Sequence, residues 1–323
     1  MDKVDKLVAV ANGKLLLTGE YLVMDGATAL ALPLNLGQTL SIEPSDDVYL
    51  TWKAFDVNGI WFEGCYSVPE FSLVSSTNRL IGETLQHILV TAATLNPHHR
   101  VTQGMFIKTC LNFNRLLGLG SSSTLIALIA DLFDTDKYKL HARVSTGSGY
   151  DVACTAVDYP IFYTRKSKEE ALVEPANFNP AFAHNLYFAY LGNKQDTNSE
   201  IVRYQNIEKG SLMNQVAAIT EISRELSVIQ DLTTFTSLIE EHEKIMSTVL
   251  NRNSIRQHKF SDFNGCVKSL GAWGGDFVLA ASAMDETAVF NYFAKNNITT
   301  IFRFKDLVLN NKVINNHDTI IKF

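Results

Sequence analysis

The apolar positions of the chain change period several times, and these changes predict where strands and helices lie. Short apolar runs bounded by glycine, asparagine or proline are typical of strands. Strands of this kind are predicted at Val8–Leu17, Ala29–Leu34, Val48–Phe55, Ile60–Ser67, Met105–Phe113, Pro160–Thr164 and Asn185–Leu191, with two more flanking Gly271–Gly275. Asn58-Gly59 separates two of the runs, and this dipeptide predicts a tight hairpin between them.

Apolar residues spaced three and four apart predict the helices. These helices are a segment after Ser75–Asn78 that ends at Asn96-Pro97, then Thr124–Phe133, Tyr150–Val157, Leu212–Ile229, Thr233–Leu250 and Glu286–Lys295. Strands and helices alternate without the regular order of a doubly wound sheet. The fold class is therefore predicted to be α+β.

The length and the polarity of one segment predict two domains. A chain of 323 residues is too long for a single comfortable core. The polar stretch Arg165–Asn179 is the best candidate for a boundary. We therefore predict an N-terminal domain over 1–165 and a C-terminal domain over 166–323.

The composition of the chain argues against several classes of function. The chain has 28 Lys+Arg against 34 Asp+Glu, a net charge of −6, and no cluster of cations that would bind nucleic acid broadly. The four cysteines form no Cys-x-x-Cys pair, so a zinc site is not expected. With neither a signal-peptide pattern nor an apolar run of membrane-spanning length, we expect a soluble, cytoplasmic protein.

A glycine- and serine-rich segment lies between a predicted strand and an apolar helix. Backbone amides at a helix N-terminus, freed by glycine, can cradle an anion. The simpler alternative is a loop with serine N-caps, but the strand–loop–helix order favours phosphate binding. The residues concerned are Gly118, Leu119, Gly120, Ser121, Ser122 and Ser123. The P-loop pattern, the dinucleotide fingerprint and the protein-kinase motifs are all missing from the sequence.

Three further features are ambiguous when each is taken alone. Lys14 follows Gly13 inside a predicted strand, and taken alone it is a strand-edge lysine that reaches solvent. Gly271–Gly275 is either a hairpin turn or a close approach of the backbone to a ligand. Asp151 follows Gly147-Ser148-Gly149-Tyr150, where a helix should begin. It is either a first-turn aspartate favoured by the helix dipole or a general base for phosphoryl transfer.

Three segments together resemble the motifs of the GHMP kinase superfamily, which includes galactokinase, homoserine kinase, mevalonate kinase and phosphomevalonate kinase. They are Ala11–Tyr21 (ANGKLLLTGEY), Leu117–Thr124 (LGLGSSST) and Lys268–Ala280 (KSLGAWGGDFVLA), and they keep the family's order over almost the whole chain. Three positions depart from the family pattern: Asn12 and Asn114 stand where proline is common, and Trp273 stands where glycine is usual.

The resemblance implies an N-terminal domain with the first two motifs and a ferredoxin-like C-terminal domain with the third. It also implies ATP and Mg²⁺ as cofactors, Asp151 as catalytic base, Lys14 as its cationic neighbour, and nucleotide contacts at Gly274 and Gly275. The metal-binding glutamate of mevalonate kinases corresponds to Leu140. Mg²⁺ is then held either by the phosphates, Ser122 and water, or with the help of another carboxylate such as Glu20.

Within the superfamily, Gly147–Ala153 (GSGYDVA) and the Gly-Gly-Asp of 274–276 look closest to phosphomevalonate kinase and then to mevalonate kinase. We therefore expect an ATP-dependent kinase acting on mevalonate or phosphomevalonate, with a homodimer as one candidate assembly. The polar segment 192–199 either faces an anionic substrate or caps a helix. A sugar or heptose kinase, a diphosphomevalonate decarboxylase and a catalytically inactive ligand sensor are the alternatives.

Overall fold

The computed structural model describes residues 6–99, 101–167, 170–192, 197–206, 212–271, 273, 276–311 and 319–322. The chain divides into two compact units. The first unit comprises Met1–Gly13, Leu36–Ala156 and Lys322–Phe323, and the second unit comprises Lys14–Asn35 and Val157–Ile321. The strand Glu170–Pro175 lies inside the polar stretch and pairs with Ile161–Arg165 within the second unit. The domains 1–165 and 166–323 stay a prediction.

The strands are numbered in chain order. They are β1 (Lys6–Leu16), β2 (Thr28–Pro44), β3 (Tyr49–Asp56), β4 (Gly59–Ser67), β5 (Leu73–Ser76), β6 (Met105–Leu111), β7 (Ile161–Arg165), β8 (Glu170–Pro175), β9 (Leu186–Tyr190), β10 (Cys266–Leu270), β11 (Phe277–Ala281), β12 (Ile301–Arg303) and β13 (Thr319–Lys322).

The helices are numbered in the same way. They are α1 (Arg79–Leu95), α2 (Ser121–Leu132), α3 (Lys137–Val144), α4 (Tyr150–Cys154), α5 (Thr197–Gln205), α6 (Met213–Leu226), α7 (Leu232–Leu250), α8 (Ile255–Lys259), α9 (Glu286–Lys295) and α10 (Phe304–Leu307). None of the helices in the described ranges is long and apolar enough to cross a membrane.

The first unit packs helices against a mixed sheet. The C-terminal part of β2 pairs antiparallel with β6, β6 pairs parallel with β3, and β3 and β4 form a hairpin in which Asp56 faces Gly59. This pairing confirms the hairpin predicted from Asn58-Gly59. Buried residues from the strands and from α1 and α2 form one apolar core, with Trp52 and Ile107 on the sheet and Leu89 and Ile129 on the helices among its members. The core fixes α2, and with it the start of that helix.

The second unit contains an antiparallel sheet of four strands in the order β10-β11-β9-β12. Helices α5 to α8 connect β9 to β10, and α9 connects β11 to β12. This β-α-β-β-α-β succession with antiparallel neighbours is the ferredoxin-like arrangement. The predicted ferredoxin-like C-terminal fold and the α+β class are therefore confirmed. In the same unit the first residues of β2 pair with β7, and β8 pairs with the other side of β7.

Several elements differ from the sequence predictions. Strand β2 is far longer than Ala29–Leu34 because it runs on through Gly37, where a Cβ would lie 2.3 Å from the carbonyl oxygen of Ala11. Glycine is a packing requirement there and does not end the strand. Helix α2 begins three residues before Thr124, so the serines of the phosphate loop form its first turn. Helix α3 and strand β5 were not predicted, since α3 buries only Leu140 and His141 and shows little apolar periodicity.

Candidate active site

The segment Gly118–Ser123 turns directly into helix α2. Gly118 and Gly120 have φ angles of 74° and 105°, a left-handed conformation that residues with a Cβ avoid. Gly120 is the N-cap residue, and no side chain caps the helix. The amides of the first turn have no acceptor within the helix. This segment can therefore direct several N–H groups and the positive end of the helix dipole toward an anion.

The three serines of the first turn have different environments. Ser123 is buried, and its hydroxyl donates to the carbonyl oxygen of Gly120 at 2.9 Å. The next residue, Thr124, is also buried and donates to Oε1 of Gln38 at 2.8 Å. Ser121 is half-buried and Ser122 is exposed. Ser122 is therefore the serine whose hydroxyl is most accessible to a phosphate oxygen or a metal ion, while the hydroxyl of Ser123 stabilises the turn.

The first motif packs against the phosphate loop inside the first unit. Gly13 in β1 lies so close to the loop that a Cβ on it would stand 2.7 Å from the carbonyl oxygen of Leu119 and 2.6 Å from that of Leu36. Real Cβ atoms do not approach backbone oxygens at these distances. Glycine at position 13 is therefore a condition for the contact between β1 and the loop.

Asp151 lies in the first turn of α4, as predicted, directly after Gly149 and Tyr150. Its side chain is 27% exposed. Oδ1 accepts a hydrogen bond from the amide of Val152 at 3.1 Å. Within the described residues Oδ2 has no hydrogen-bond donor. An accessible carboxylate with one oxygen held and the other open can orient an acceptor group and take its proton.

His141 of α3 is a neighbour of Asp151 that the sequence analysis missed. Its Nε2 atom lies 3.7 Å from Oδ1 of Asp151, and the imidazole is almost completely buried. No motif marks a histidine here. The one available signal was its place directly after Leu140, where the family resemblance led us to expect a metal-binding glutamate.

Lys14, Gly274 and Gly275 are three other site residues that the sequence predicts. Lys14 is the first residue of the second unit and is half-buried, and its role beside Asp151 stays a prediction. Gly274 and Gly275 lie outside the described residues, as do positions 193–196 of the polar segment 192–199. Their predicted contacts with ligands therefore stay predictions.

Glu20 of the first motif joins a fully buried ion pair in the second unit. Its Oε1 accepts from Nζ of Lys268, which also donates to the carbonyl oxygen of Ser269 at 2.8 Å. Glu243 of α7 places Oε1 3.6 Å from the same Nζ. A lysine without exposed surface needs such partners, because an unpaired buried charge is very costly. The ion pair links the first motif to the third.

His242 completes this cluster as a neutral imidazole. Its Nε2 accepts from the amide of Gly19 at 3.1 Å, so the proton must be on Nδ1, which lies 3.8 Å from Oε1 of Glu243. Burial, and then the charge of Lys268, lower the pKa of His242. Burial alone would raise the pKa of Glu243, but Lys268 and His242 hold it below its usual value.

The donor set bears on where Mg²⁺ would bind. Among the described residues no group of three or more His, Cys, Asp or Glu side chains could hold a metal ion. Mg²⁺ commonly needs only one or two protein oxygens beside substrate phosphates and water. The exposed hydroxyl of Ser122 fits that requirement, whereas the carboxylate of Glu20 is already bound to Lys268. Metal binding by Ser122 or Glu20 stays a prediction, and the geometry favours Ser122.

Replacing Gly13 by alanine tests the contact between β1 and the phosphate loop. We expect Gly13→Ala to lower the free energy of unfolding by about 1–3 kcal/mol, because the new methyl group must displace backbone atoms. Chemical denaturation measures the change. Gly147→Ala is the matched control, since a Cβ at Gly147 meets nothing closer than 3.4 Å. Equal stability of Gly13→Ala and the wild type would contradict the close contact.

Lowering the pH tests the neutral state of His242. A group whose pKa is depressed by folding contributes stability above its unfolded value, and this stability is lost as the pH falls. Below the usual histidine value of 6.5 the unfolded chain binds a proton that the folded chain does not. We expect a slope of up to about 1.4 kcal/mol per pH unit from this group. Denaturation series between neutral and mildly acidic pH measure the slope.

His242→Gln should remove that part of the pH dependence, because glutamine can accept from Gly19 but does not titrate. His87→Gln is the control, since His87 is an exposed histidine of the first unit. An unchanged slope in His242→Gln would mean that His242 is not the group responsible.

Comparison with solved structures shows which known proteins have a similar fold. Streptococcus pneumoniae phosphomevalonate kinase in complex with phosphomevalonate and AMPPNP matches with a TM-score of 0.68 and 18% identity, over 91% of this chain and 99% of that chain. Methanococcus jannaschii mevalonate kinase matches with a TM-score of 0.65 and 14% identity, over 96% and 100%. Lactococcus lactis galactokinase complexed with galactose matches with a TM-score of 0.68 and 13% identity, over 98% and 95%.

No family model matches the sequence, and no curated protein matches it at the sequence level. The similarity is therefore one of structure, and it extends over nearly the full length of each of these kinases. Together with the ferredoxin-like sheet and the glycine-rich N-terminus of α2, it shows that this chain has the fold of the GHMP kinases.

Proposed function

We propose that this protein is an ATP-dependent kinase that transfers the γ-phosphoryl group to mevalonate or phosphomevalonate. The observation that carries the proposal is the N-terminus of α2, where Gly118 and Gly120 adopt left-handed conformations, no side chain caps the helix and Ser122 is exposed. The same compact unit holds the accessible carboxylate of Asp151. The fold is one in which solved relatives are kinases.

The phosphate loop would supply most of the electrostatic stabilisation. Charge accumulates on the phosphoryl oxygens and on the leaving group during phosphoryl transfer, and fixed donors that need no reorganisation stabilise it best. The first-turn amides after Gly120 are such donors. Mg²⁺, when bound beside Ser122 and the phosphates, would neutralise part of the same charge. The ammonium group of Lys14 would contribute in the same way if it faces the transferred group.

Asp151 would act on the acceptor. Its Oδ1 is held by the amide of Val152, which leaves Oδ2 to accept a hydrogen bond from an acceptor hydroxyl. As the oxygen of the acceptor forms its bond to the γ-phosphorus of ATP, the bond from that phosphorus to the bridging oxygen breaks and ADP leaves. The proton of the acceptor would pass to the carboxylate. If the acceptor is itself a phosphate, Asp151 matters mainly for orientation, because a phosphate dianion needs little deprotonation.

The choice of acceptor rests on sequence similarity rather than on the fold. Gly147–Ala153 and the Gly-Gly-Asp of 274–276 look closest to phosphomevalonate kinase. The fold does not discriminate, since the phosphomevalonate kinase and the galactokinase share a TM-score of 0.68. A sugar or heptose kinase is therefore the second candidate, and a diphosphomevalonate decarboxylase and an inactive ligand sensor are further alternatives.

A coupled assay of ADP release across a panel of acceptors tests the function. We expect turnover with phosphomevalonate or mevalonate to exceed turnover with homoserine, hexoses or heptoses. Robust turnover with a sugar alone would contradict the proposed acceptor but would still support the proposed kinase activity. Release of CO2 in step with ADP would identify a decarboxylase, and ATP binding without turnover of any acceptor would favour the sensor.

Asp151→Asn tests the proposed base. The substitution keeps the size of the side chain but removes the proton acceptor, so we expect the steady-state rate to fall about 10²–10⁴-fold with ATP affinity nearly unchanged. Calorimetric titration with ATP separates binding from turnover. Asp46→Asn is the matched control, because Asp46 is an exposed aspartate of the same unit. A loss smaller than about tenfold would exclude Asp151 as the base.

A further inference from the structure

We propose that His141 is a positioning residue for Asp151. In this role the Nε2–H group of His141 donates a hydrogen bond to Oδ1 of Asp151 when substrate binds. The bond fixes the carboxylate so that Oδ2 faces the acceptor. The inference deepens the proposed function and rests on it, since it concerns the same carboxylate, but it assigns a role to a residue that belongs to none of the three motifs.

The surroundings of His141 point to this role. It is one of the two buried residues of α3, a helix that packs against both α2 and α4. Its Nε2 atom is buried and has no hydrogen-bond partner within the described residues. A buried polar nitrogen without a partner is uncommon in native proteins, and such atoms often belong to functional sites. The carboxylate oxygen nearest to this nitrogen in the described ion pairs is Oδ1 of Asp151, at 3.7 Å.

The 3.7 Å between Nε2 of His141 and Oδ1 of Asp151 is too long for a hydrogen bond, but a small movement would bring the two atoms within bonding distance. Hydrogen bonds in active sites are often long without ligand and shorten when substrate is bound. The partner atom is already held by one donor, because Oδ1 accepts a hydrogen bond from the amide of Val152. A second donor on the same oxygen would stop rotation of the carboxylate about its terminal bond. The other oxygen would then stay directed at the acceptor.

The turn that precedes Asp151 also borders the imidazole of His141. A Cβ on Gly147 would stand 3.6 Å from Nε2 of His141, which is an ordinary contact distance. The turn Gly147–Gly149 and the histidine therefore form the surroundings of Asp151 together. Metal binding is a weaker interpretation of this nitrogen, because Mg²⁺ prefers oxygen ligands.

Two substitutions separate positioning from simple filling of the core. His141→Leu keeps the bulk of the side chain and removes the donor, and His141→Gln places an amide N–H close to the position of Nε2. Steady-state kinetics are measured with the acceptor that the wild type phosphorylates, over a range of pH, together with the thermal midpoint of each variant. His87→Leu is the control, since His87 is an exposed histidine of α1 in the same unit.

The proposal expects kcat of His141→Leu to fall about 10- to 100-fold, the range that follows from a misplaced catalytic group. KM for ATP should stay within about threefold, and His141→Gln should recover most of the rate. The acidic limb of the pH–rate profile should move to higher pH in His141→Leu, because a donor that favours the charged carboxylate is lost. An unchanged kcat in His141→Leu, or equally slow leucine and glutamine variants, would overturn the proposal.

A measurement on the wild type covers the case in which a variant does not fold. In protein labelled with ¹⁵N-histidine, the nitrogen shifts report which ring atom carries the proton. Asp151→Asn assigns His141 as the imidazole whose signal it perturbs. A proton on Nε2 of that imidazole supports the proposal, and an unprotonated Nε2, or a spectrum in which no histidine signal responds to Asp151→Asn, overturns it. If the wild type phosphorylates no acceptor, the proposed function fails, while this measurement still decides the contact between His141 and Asp151.

Discussion

The contact between β1 and the phosphate loop is the constraint on which the candidate site depends. The carbonyl oxygens of Leu36 and Leu119 approach Gly13 so closely that only a residue without a side chain fits between them. This approach ties the first motif to the second within one compact unit. It also sets the start of α2, because the loop that contacts Gly13 is the loop whose glycines release the first-turn amides.

A second set of interactions relates the first motif to the third. Glu20 and Lys268 form an ion pair without contact to solvent, and Glu243 and His242 of α7 enclose it. Buried ion pairs add little stability over well-packed apolar residues, but removing one partner leaves a charge with nothing to balance it. The residues of this cluster must therefore keep their relative positions, since each of them is tolerable only while the others stay in place.

The sequence predicted elements whose signals are local. The Asn58-Gly59 hairpin and the helix at Glu286–Lys295 follow from turn chemistry and from apolar spacing, and both were placed correctly. The continuation of β2 through Gly37 could not be predicted, because the reason for that glycine is a backbone oxygen 26 positions earlier, at Ala11. Helix α3 was not predicted for a different reason, because most of its surface is polar.

The candidate site likewise contains residues that could be predicted from the sequence and residues that could not. The phosphate loop and Asp151 stand in segments that resemble family motifs, so a loop leading into an apolar helix and an aspartate at the start of α4 could be predicted. His141, His242 and Glu243 lie on helices that carry no motif. What marks these three residues is burial beside a charged side chain, and that property exists only once the chain has folded.

Trp273 is a departure from the GHMP kinase motif that the third segment resembles, and the contacts of Glu243 account for it. Tryptophan stands where the family usually has glycine, and its φ angle of 34° is unfavourable for a residue with a side chain. The side chain is nevertheless buried, and its indole N–H donates to Oε1 of Glu243 at 3.4 Å. Oε2 of Glu243 also accepts from the amide of Ser269 at 3.3 Å. The glutamate thus binds the third motif on both sides of Gly271, and the hydrogen bond and burial of the indole offset the backbone strain that a glycine would have avoided.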